Sequence, residues 1–137
     1  MSAVNLFDGH ERDYFIREAD ALAERARGRY VTPGAGQADT YREKYAEALR
    51  LDAGEAGPFP HIEAEAPARG MAPEGLAALI IRRRARWQSV SASIETERVR
   101  CKAFIRAADT PRAMRNALAL MREKLEALTE KHPPEEA

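Results

Sequence analysis

Apolar residues recur at gaps of three or four along residues 73–108, the spacing of one face of an α-helix. Pro73 stands in the first turn, where proline is favoured, and no proline or glycine follows Gly75 within the segment. At about 1.5 Å per residue such a helix extends roughly 54 Å, beyond the diameter of roughly 26 Å of a compact domain of about 100 residues. The pattern therefore predicts an elongated all-α domain with one long central helix. Its apolar positions are Leu76, Leu79, Ile80, Trp87, Val90, Ile94, Cys101, Ile105 and Ala108.

A second long pattern begins after Asp109, where Thr110 can cap a helix and Pro111 suits its first turn. Apolar residues then follow a heptad-like spacing, which predicts a helix over residues 111–131. The short connection favours an antiparallel hairpin over residues 73–132, and the alternative is a kinked, nearly continuous rod. The apolar positions are Met114, Ala117, Leu118, Met121, Leu125 and Leu128.

Two shorter helices are predicted at the N-terminal end of the chain. Residues 9–27 carry apolar residues at helical spacing, Asp8 and Glu11 fit a capping box at their start, and Gly28 ends the helix. The second helix covers residues 37–51. Its core face is predicted to carry Tyr41, Tyr45, Ala48 and Leu49, and its solvent face Arg42, Glu43, Lys44 and Glu47.

Residues 52–72 are rich in glycine and proline and are predicted to be a linker with one short helix, residues 61–66. Pro60 suits the first turn of that helix, and Pro67 ends or kinks it. We therefore expect a single helical domain over residues 1–132. Its parts are a helical pair over 1–51, the linker and the hairpin, with a flexible tail over 133–137.

Bulky apolar residues are scarce in this sequence. Leu, Ile, Val and Phe together supply 24 of the 137 residues, and alanine contributes much of the 45% hydrophobic content. Alanine favours helices but adds little to a core. The composition therefore predicts a well-formed helical chain with a thin core, and a partner that buries part of its apolar surface.

The charge of the chain balances at zero, which argues against a generic binder of polyanions. The balance hides an asymmetry, because residues 1–72 carry 9 basic and 13 acidic side chains, whereas residues 73–137 carry 13 and 9. The basic side chains between Arg82 and Arg106 could bind phosphates, and Trp87 could stack on a base. A small helical nucleic-acid-binding regulator is therefore the alternative reading. The simpler reading is that this basic face forms ion pairs with the acidic side chains of residues 1–72.

No group of residues in the sequence has the spacing of a catalytic, metal or cofactor site. The glycine-rich loop of residues 29–37 lacks the Lys-Ser/Thr of a phosphate-binding loop and follows no apolar strand. His61 and Glu65 are four residues apart, but two ligands on a short helix do not make a metal site. Cys101 lies on the apolar stripe, which indicates a buried structural thiol. We therefore expect no enzymatic activity, no metal and no cofactor.

The single cysteine and the lack of a long apolar stretch predict a protein of a reducing compartment with no membrane partner. No signal-peptide core is present at the N-terminus. We expect the protein in the cytoplasm of the cell that makes it.

The order of segments in residues 25–108 resembles a pattern found in small helical proteins that tailed bacteriophages and prophages encode near their tail-fibre genes. Its most specific part is a run of six positions in the second helix: Gly36, Gln37, Tyr41, Lys44, Glu47 and Ala48. The sequence departs from the pattern at Pro67 and Ala72. The resemblance implies a tail-associated structural or assembly role, in the host cytoplasm during assembly or in the virion tail, and no activity.

These observations predict a non-enzymatic interaction protein, either a structural adaptor of the tail fibre or baseplate or an assembly factor for the fibre. The expected partner is a tail-fibre or baseplate protein, and self-association into a homo-oligomer is a further expectation. Binding is expected through the long helices, where Leu79, Ile80 and Ile81 are expected to offer exposed apolar area. The full set of expected partner-binding residues is Leu79, Ile80, Ile81, Arg83, Arg84, Trp87, Ile94, Met114, Met121 and Leu125.

Overall fold

A computed structural model describes residues 9–31 and 34–134 of the chain, and these residues form five helices and no strand. The all-α fold with a long central helix is thereby confirmed. Asp8 of the predicted capping box and Pro33 of the predicted turn lie outside the described residues. The helices are α1 (Gly9–Gly28), α2 (Ala35–Asp52), α3 (Pro60–Ala68), α4 (Pro73–Ala107) and α5 (Pro111–Lys131).

The described residues divide into two compact units. The first, called here the α1/α5 unit, contains residues 9–31 and 90–134, and the second, the α2/α3 unit, contains residues 34–89. Helix α4 contributes its residues up to Ser89 to the α2/α3 unit and those from Val90 to the α1/α5 unit. The prediction of a single domain over residues 1–132 stays a prediction.

The hydrogen bonds of α1 fix the directions of the helices in the α1/α5 unit. Near the start of α1, the Arg12 guanidinium donates to the carbonyls of Arg106 and Ala108, 3.1 Å each, and so caps the end of α4. Beyond the end of α1, Arg29 donates to Thr129 Oγ1 at 3.1 Å. Helix α1 is therefore antiparallel to this part of α4 and parallel to α5, and α5 returns antiparallel to α4.

Helix α5 begins as the sequence predicts. Thr110 is extended, and its Oγ1 accepts a hydrogen bond of 3.1 Å from the backbone N–H of Ala113, while Pro111 occupies the first turn. Fourteen apolar side chains from three helices are buried in this unit. They are Phe15, Ala19, Leu22, Ala23 and Ala26 of α1, Val90, Ile94, Cys101 and Ile105 of α4, and Met114, Ala117, Leu118, Met121 and Leu125 of α5.

Two glycines end the short helices of the α2/α3 unit. Gly54 and Gly70 have φ angles of 80° and 66°, in the left-handed region that glycine adopts at little cost. At the end of α3, the N–H of Met71 bonds to Ala66 O at 2.9 Å and that of Gly70 to Pro67 O at 3.0 Å, which is a Schellman closure. Pro67 therefore lies within the last turn of α3, and it is Gly70 that stops the helix.

The core of the α2/α3 unit is small. Its buried members are Ala48, Phe59, Ile62, Ala66, Leu76 and Ala77. The predicted orientation of α2 is wrong at three positions: Tyr41 is 46% exposed, Leu49 is 44% exposed, and Glu47 is only 5% exposed. The reason is that the carboxylate of Glu47 accepts hydrogen bonds from the start of α3, which turns that side of α2 inward.

Candidate interaction surface

Three consecutive apolar residues of α4 lie at the margin of the α2/α3 core. Leu79, Ile80 and Ile81 pack against the buried cluster, and all three stay partly exposed. Successive helical residues point about 100° apart, so a core on one side cannot cover three in a row. We call the segment from Leu79 to Trp87 the α4 surface, because its apolar start is followed by arginines and the single tryptophan of the chain.

Arg84 is held in place on the α4 surface by an aromatic ring. The centre of its guanidinium lies 5.2 Å from the centroid of the Tyr45 ring, a cation–π distance. Its Nε is buried and has no acceptor among the described residues. Neither of its two terminal nitrogens is both buried and unpaired. Arg84 therefore presents its outer guanidinium edge while its stem and Nε are packed.

The neighbouring residues of the α4 surface differ in their surroundings. Arg82 is exposed, while Arg83, Arg86 and Trp87 are half-buried and engaged in further interactions. Six of the ten residues predicted to bind a partner thus lie on one segment of one helix in the α2/α3 unit. The other four, Ile94, Met114, Met121 and Leu125, are buried in the core of the α1/α5 unit.

The basic face predicted from Arg82 to Arg106 is interrupted by ion pairs in the α1/α5 unit. Arg98 lies 2.9 Å and Lys102 3.0 Å from Oδ1 of Asp20 on α1. Arg100 is paired with Glu97 at 2.7 Å. Partial burial raises the pKa of Asp20, but the hydrogen bonds from Arg98 and Lys102 outweigh it and hold that pKa below its usual value.

The same network extends along α1 toward its C-terminal end. Glu95 accepts from Arg98 at 2.7 and 2.9 Å and from Arg27 at 2.9 Å. The hydrogen bond from Arg98 is the main reason why the pKa of Glu95 is lowered. These side chains, with Asp20 and Glu24, border a cavity of about 300 Å³. The cations and carboxylates around this cavity already pair with one another. The network therefore stabilises the packing of α1 against α4.

A second polar cluster lies between α2 and α3. Glu47 Oε1 accepts from the backbone N–H groups of His61, at 2.9 Å, and Ile62, at 3.1 Å. Glu47 Oε2 lies 2.5 Å from Nδ1 of His61, whose Nε2 is 3.2 Å from Glu43. The residue before α3, Phe59, supplies no side-chain cap, so the start of this helix needs an acceptor from elsewhere. That missing local cap is the sequence signal that could have revealed Glu47.

Glu65 belongs to a different set of contacts from the one expected with His61. Its Oε1 accepts from Lys44 at 2.6 Å, and its Oε2 lies 3.2 Å from Arg69. Burial raises the pKa of Glu65, and the hydrogen bond from Lys44 outweighs that effect, so the pKa is lowered. Lys44, His61 and Glu65 line an open cavity of about 360 Å³. Within residues 9–31 and 34–134, no three His, Cys, Asp or Glu side chains are arranged to hold a metal ion.

Cys101 is buried in the α1/α5 core, as its place on the apolar stripe predicts. Burial, and then the negative charge of Glu97, raise the pKa of its thiol to about 11. The thiolate is therefore scarce at neutral pH, and the side chain packs as a small apolar group.

Several exposed apolar residues escaped the sequence analysis. Val99 and Phe104 are 53% and 50% exposed on α4, and Leu120 is exposed on α5. Tyr14 of α1 is exposed as well. Val99 and Phe104 lie outside the apolar stripe of α4. That position in the sequence could have shown that they are exposed.

No helix of the described part of the chain is long and apolar enough to cross a membrane. No protein-family profile, curated protein or solved structure matches the chain.

Proposed function

We propose that this protein is a non-enzymatic interaction protein of a phage tail that binds a tail-fibre or baseplate protein through the α4 surface. It acts there as a structural adaptor or as an assembly factor. The observation that carries the proposal is the one-sided packing of Leu79, Ile80 and Ile81. These three side chains rest on the α2/α3 core and keep exposed area that a partner helix or loop can cover.

The composition of the α4 surface supports a protein partner. Interfaces between proteins favour an apolar centre with aromatic and arginine side chains as anchors. The segment from Leu79 to Trp87 offers three large aliphatic residues, four arginines and the only tryptophan of the chain. The resemblance of residues 25–108 to small tail-associated proteins supplies the expected identity of the partner.

The pairing of the basic residues favours a protein partner over nucleic acid. Arg98, Arg100 and Lys102 are paired with carboxylates within the chain, so three of the cations predicted between Arg82 and Arg106 are already engaged. Nucleic-acid binding would need several unpaired cations along one face. Nucleic-acid binding is therefore one of the outcomes that the experiment below distinguishes.

The test is affinity purification of the tagged chain from phage-producing cells, with nuclease treatment and identification of the retained proteins. Purified candidate fibre and baseplate proteins are then titrated against the wild-type chain and the Ile81→Glu variant. A charge on this half-exposed position weakens a contact through the α4 surface by about tenfold or more.

Leu120→Glu is the matched control, because it places the same charge on an exposed apolar residue of α5, outside the α4 surface. Circular dichroism of both variants checks that the helices are retained. Retention of a fibre or baseplate protein, sensitive to Ile81→Glu and insensitive to Leu120→Glu, supports the proposal. Partners that disappear after nuclease treatment, or equal effects of the two variants, would contradict it.

A further inference from the structure

The side chain of Arg84 is held by an aromatic ring of the same unit. Its guanidinium stacks 5.2 Å from the Tyr45 centroid, and its Nε is buried without an acceptor among the described residues. Part of the side-chain entropy lost when an arginine is ordered at an interface is therefore already lost in the free chain. Arg82, two residues earlier, is exposed and has no such support.

The unused donors of Arg84 point to what it binds. No carboxylate pairs with it among residues 9–31 and 34–134, whereas Arg98 pairs with two and Arg100 with one. A guanidinium presents parallel N–H donors in a planar fork that matches the two oxygens of a carboxylate. With Nε packed, the fork available to a ligand is the outer edge formed by the two terminal nitrogens.

The residues one turn before Arg84 define the rest of the ligand. Ile80 lies four positions before it and Ile81 three, so both share its side of the helix, and both keep exposed apolar area. A phosphate backbone has no apolar group to place there. A polypeptide can place an aliphatic side chain on Ile80 and Ile81 and an acidic side chain on Arg84.

We propose that Arg84, stacked on Tyr45, is the receptor for a carboxylate of the partner protein, an aspartate or glutamate beside an aliphatic residue that covers Ile80 and Ile81. The occupant is an acidic amphipathic segment of another protein. This inference rests on the proposed function and adds the chemistry of the partner to it.

The experiment uses the full chain and a defined probe, a capped amphipathic helical peptide of about 16 residues with leucines on one face and glutamates beside them. A second peptide carries glutamine at every glutamate position. Binding is followed by the fluorescence of Trp87, the only tryptophan, which lies three residues after Arg84. We expect the glutamate peptide to bind at least about tenfold more tightly, because the guanidinium gains a charged acceptor.

Three variants test the role of the stacked guanidinium. Arg84→Gln is expected to remove about tenfold of the affinity for the glutamate peptide and to leave that for the glutamine peptide unchanged. Arg84→Lys keeps the charge but not the fork and is expected to recover only part of the loss. Tyr45→Leu keeps Arg84 but removes the ring beneath it and is expected to weaken binding severalfold.

The matched control is Arg115→Gln, which removes an equal charge from an exposed position of α5, outside the α4 surface, and its expected effect stays within about twofold. Equal binding of the two peptides, or equal effects of Arg84→Gln and Arg115→Gln, overturns the proposal. Arg84-dependent binding of a single-stranded oligonucleotide more tightly than the glutamate peptide overturns it in favour of phosphate recognition.

A fibre or baseplate complex separates this inference from the proposed function. If the complex forms, survives Arg84→Gln and is lost with Ile81→Glu, the function stands and the carboxylate receptor falls. If no tail protein binds the wild-type chain while the glutamate peptide does so through Arg84, the receptor stands and the tail assignment falls.

Discussion

The two units of this chain differ in the size of their buried cores and in the placement of their cations. In the α1/α5 unit, fourteen buried apolar side chains are accompanied by ion pairs that join helices distant in sequence, such as Asp20 with Arg98 and Lys102. The α2/α3 unit buries six apolar side chains and adds a buried carboxylate and cations stacked on aromatic rings. Arg84 on Tyr45 and Arg50 on Phe59 are examples, 5.2 and 5.0 Å from the ring centroids.

The comparison suggests which cations stabilise the fold and which are available to bind a partner. Where a cation faces a carboxylate of its own chain, as Arg98 faces Asp20, its donors are used. Arg84 rests on a ring instead, and no carboxylate among the described residues pairs with it, so it is positioned with its outer donors unused. The unit with the smaller core therefore carries the more distinctive candidate binding surface, and the unit with the larger core carries the Asp20 ion pairs that join α1 to α4.

The largest expected effect concerns the thiol of Cys101. Because this side chain is buried and its pKa is raised to about 11, labelling by a disulfide reagent at pH 8 should be slower than in the urea-unfolded chain by about 10³-fold. Time-resolved labelling with and without urea measures this. A rate within tenfold of the unfolded chain would show that the α1/α5 core opens far more readily than its packing implies.

The next effect comes from a matched pair of core truncations. Ile62 in the α2/α3 unit and Ile105 in the α1/α5 unit are both fully buried, so Ile62→Ala and Ile105→Ala should each cost about 3 kcal/mol. The smaller core has fewer side chains left to hold its helices. Hydrogen exchange should therefore show a greater loss of protection in α3 after Ile62→Ala than in α5 after Ile105→Ala, and equal losses would remove the contrast between the units.

A smaller effect is expected at the buried carboxylate of the α2/α3 unit. Glu47→Ala removes the acceptor of the His61 and Ile62 amides and should destabilise the chain by about 2 kcal/mol, while Glu47→Gln, which keeps an acceptor oxygen, should cost less. Urea unfolding followed by circular dichroism measures both. Glu43→Gln is the control, because Glu43 is exposed and meets only the outer nitrogen of His61. If Glu43→Gln lowered the free energy of unfolding as much as Glu47→Ala does, the capping role of Glu47 would be contradicted.

The smallest effect concerns the acid stability of the α1/α5 unit. The pKa of Asp20 is lower in the folded chain, so the unfolded chain binds more protons in acid. The stability that Asp20 contributes is complete above the unfolded pKa of about 4 and is lost as the pH falls through the lower folded value. Asp20→Asn should therefore cost below about 1 kcal/mol at pH 7, because the site is partly exposed, and flatten the acid limb of the unfolding curve. An unchanged acid limb would exclude this carboxylate as a source of the pH dependence.

Much of the helical architecture was predictable from local signals. The spacing of apolar residues, the prolines at helix starts and the Thr110 cap gave α4 and α5 nearly to the residue, since each signal acts within one turn of a helix. The exception was the end of α3. Pro67 was expected to end or kink that helix, yet the left-handed Gly70 ends it, because a proline in the last turn displaces few hydrogen bonds.

The orientation of side chains was less predictable where a residue of one helix caps or packs against another helix. Glu47 resembles its exposed neighbours in sequence, and only the arrival of α3 beside α2 makes it a buried cap. Likewise, Leu79 and Ile94 belong to the same stripe of α4, but Leu79 keeps exposed area and Ile94 is fully buried. The periodicity of a helix specifies which residues share a face, and it does not specify how much of that face another helix covers.

By itself, the sequence determined that the chain is helical, where the long helices α4 and α5 begin and end, and that its one cysteine is buried. These properties depend on propensity, capping and periodicity, which act between residues close in the chain. Only the tertiary structure decided that Glu47 is a cap, that Asp20 clamps Arg98 and Lys102, and that Arg84 is stacked with its outer donors unused. Each of these depends on which side chain of a distant segment comes within a few ångströms, and one sequence does not specify that.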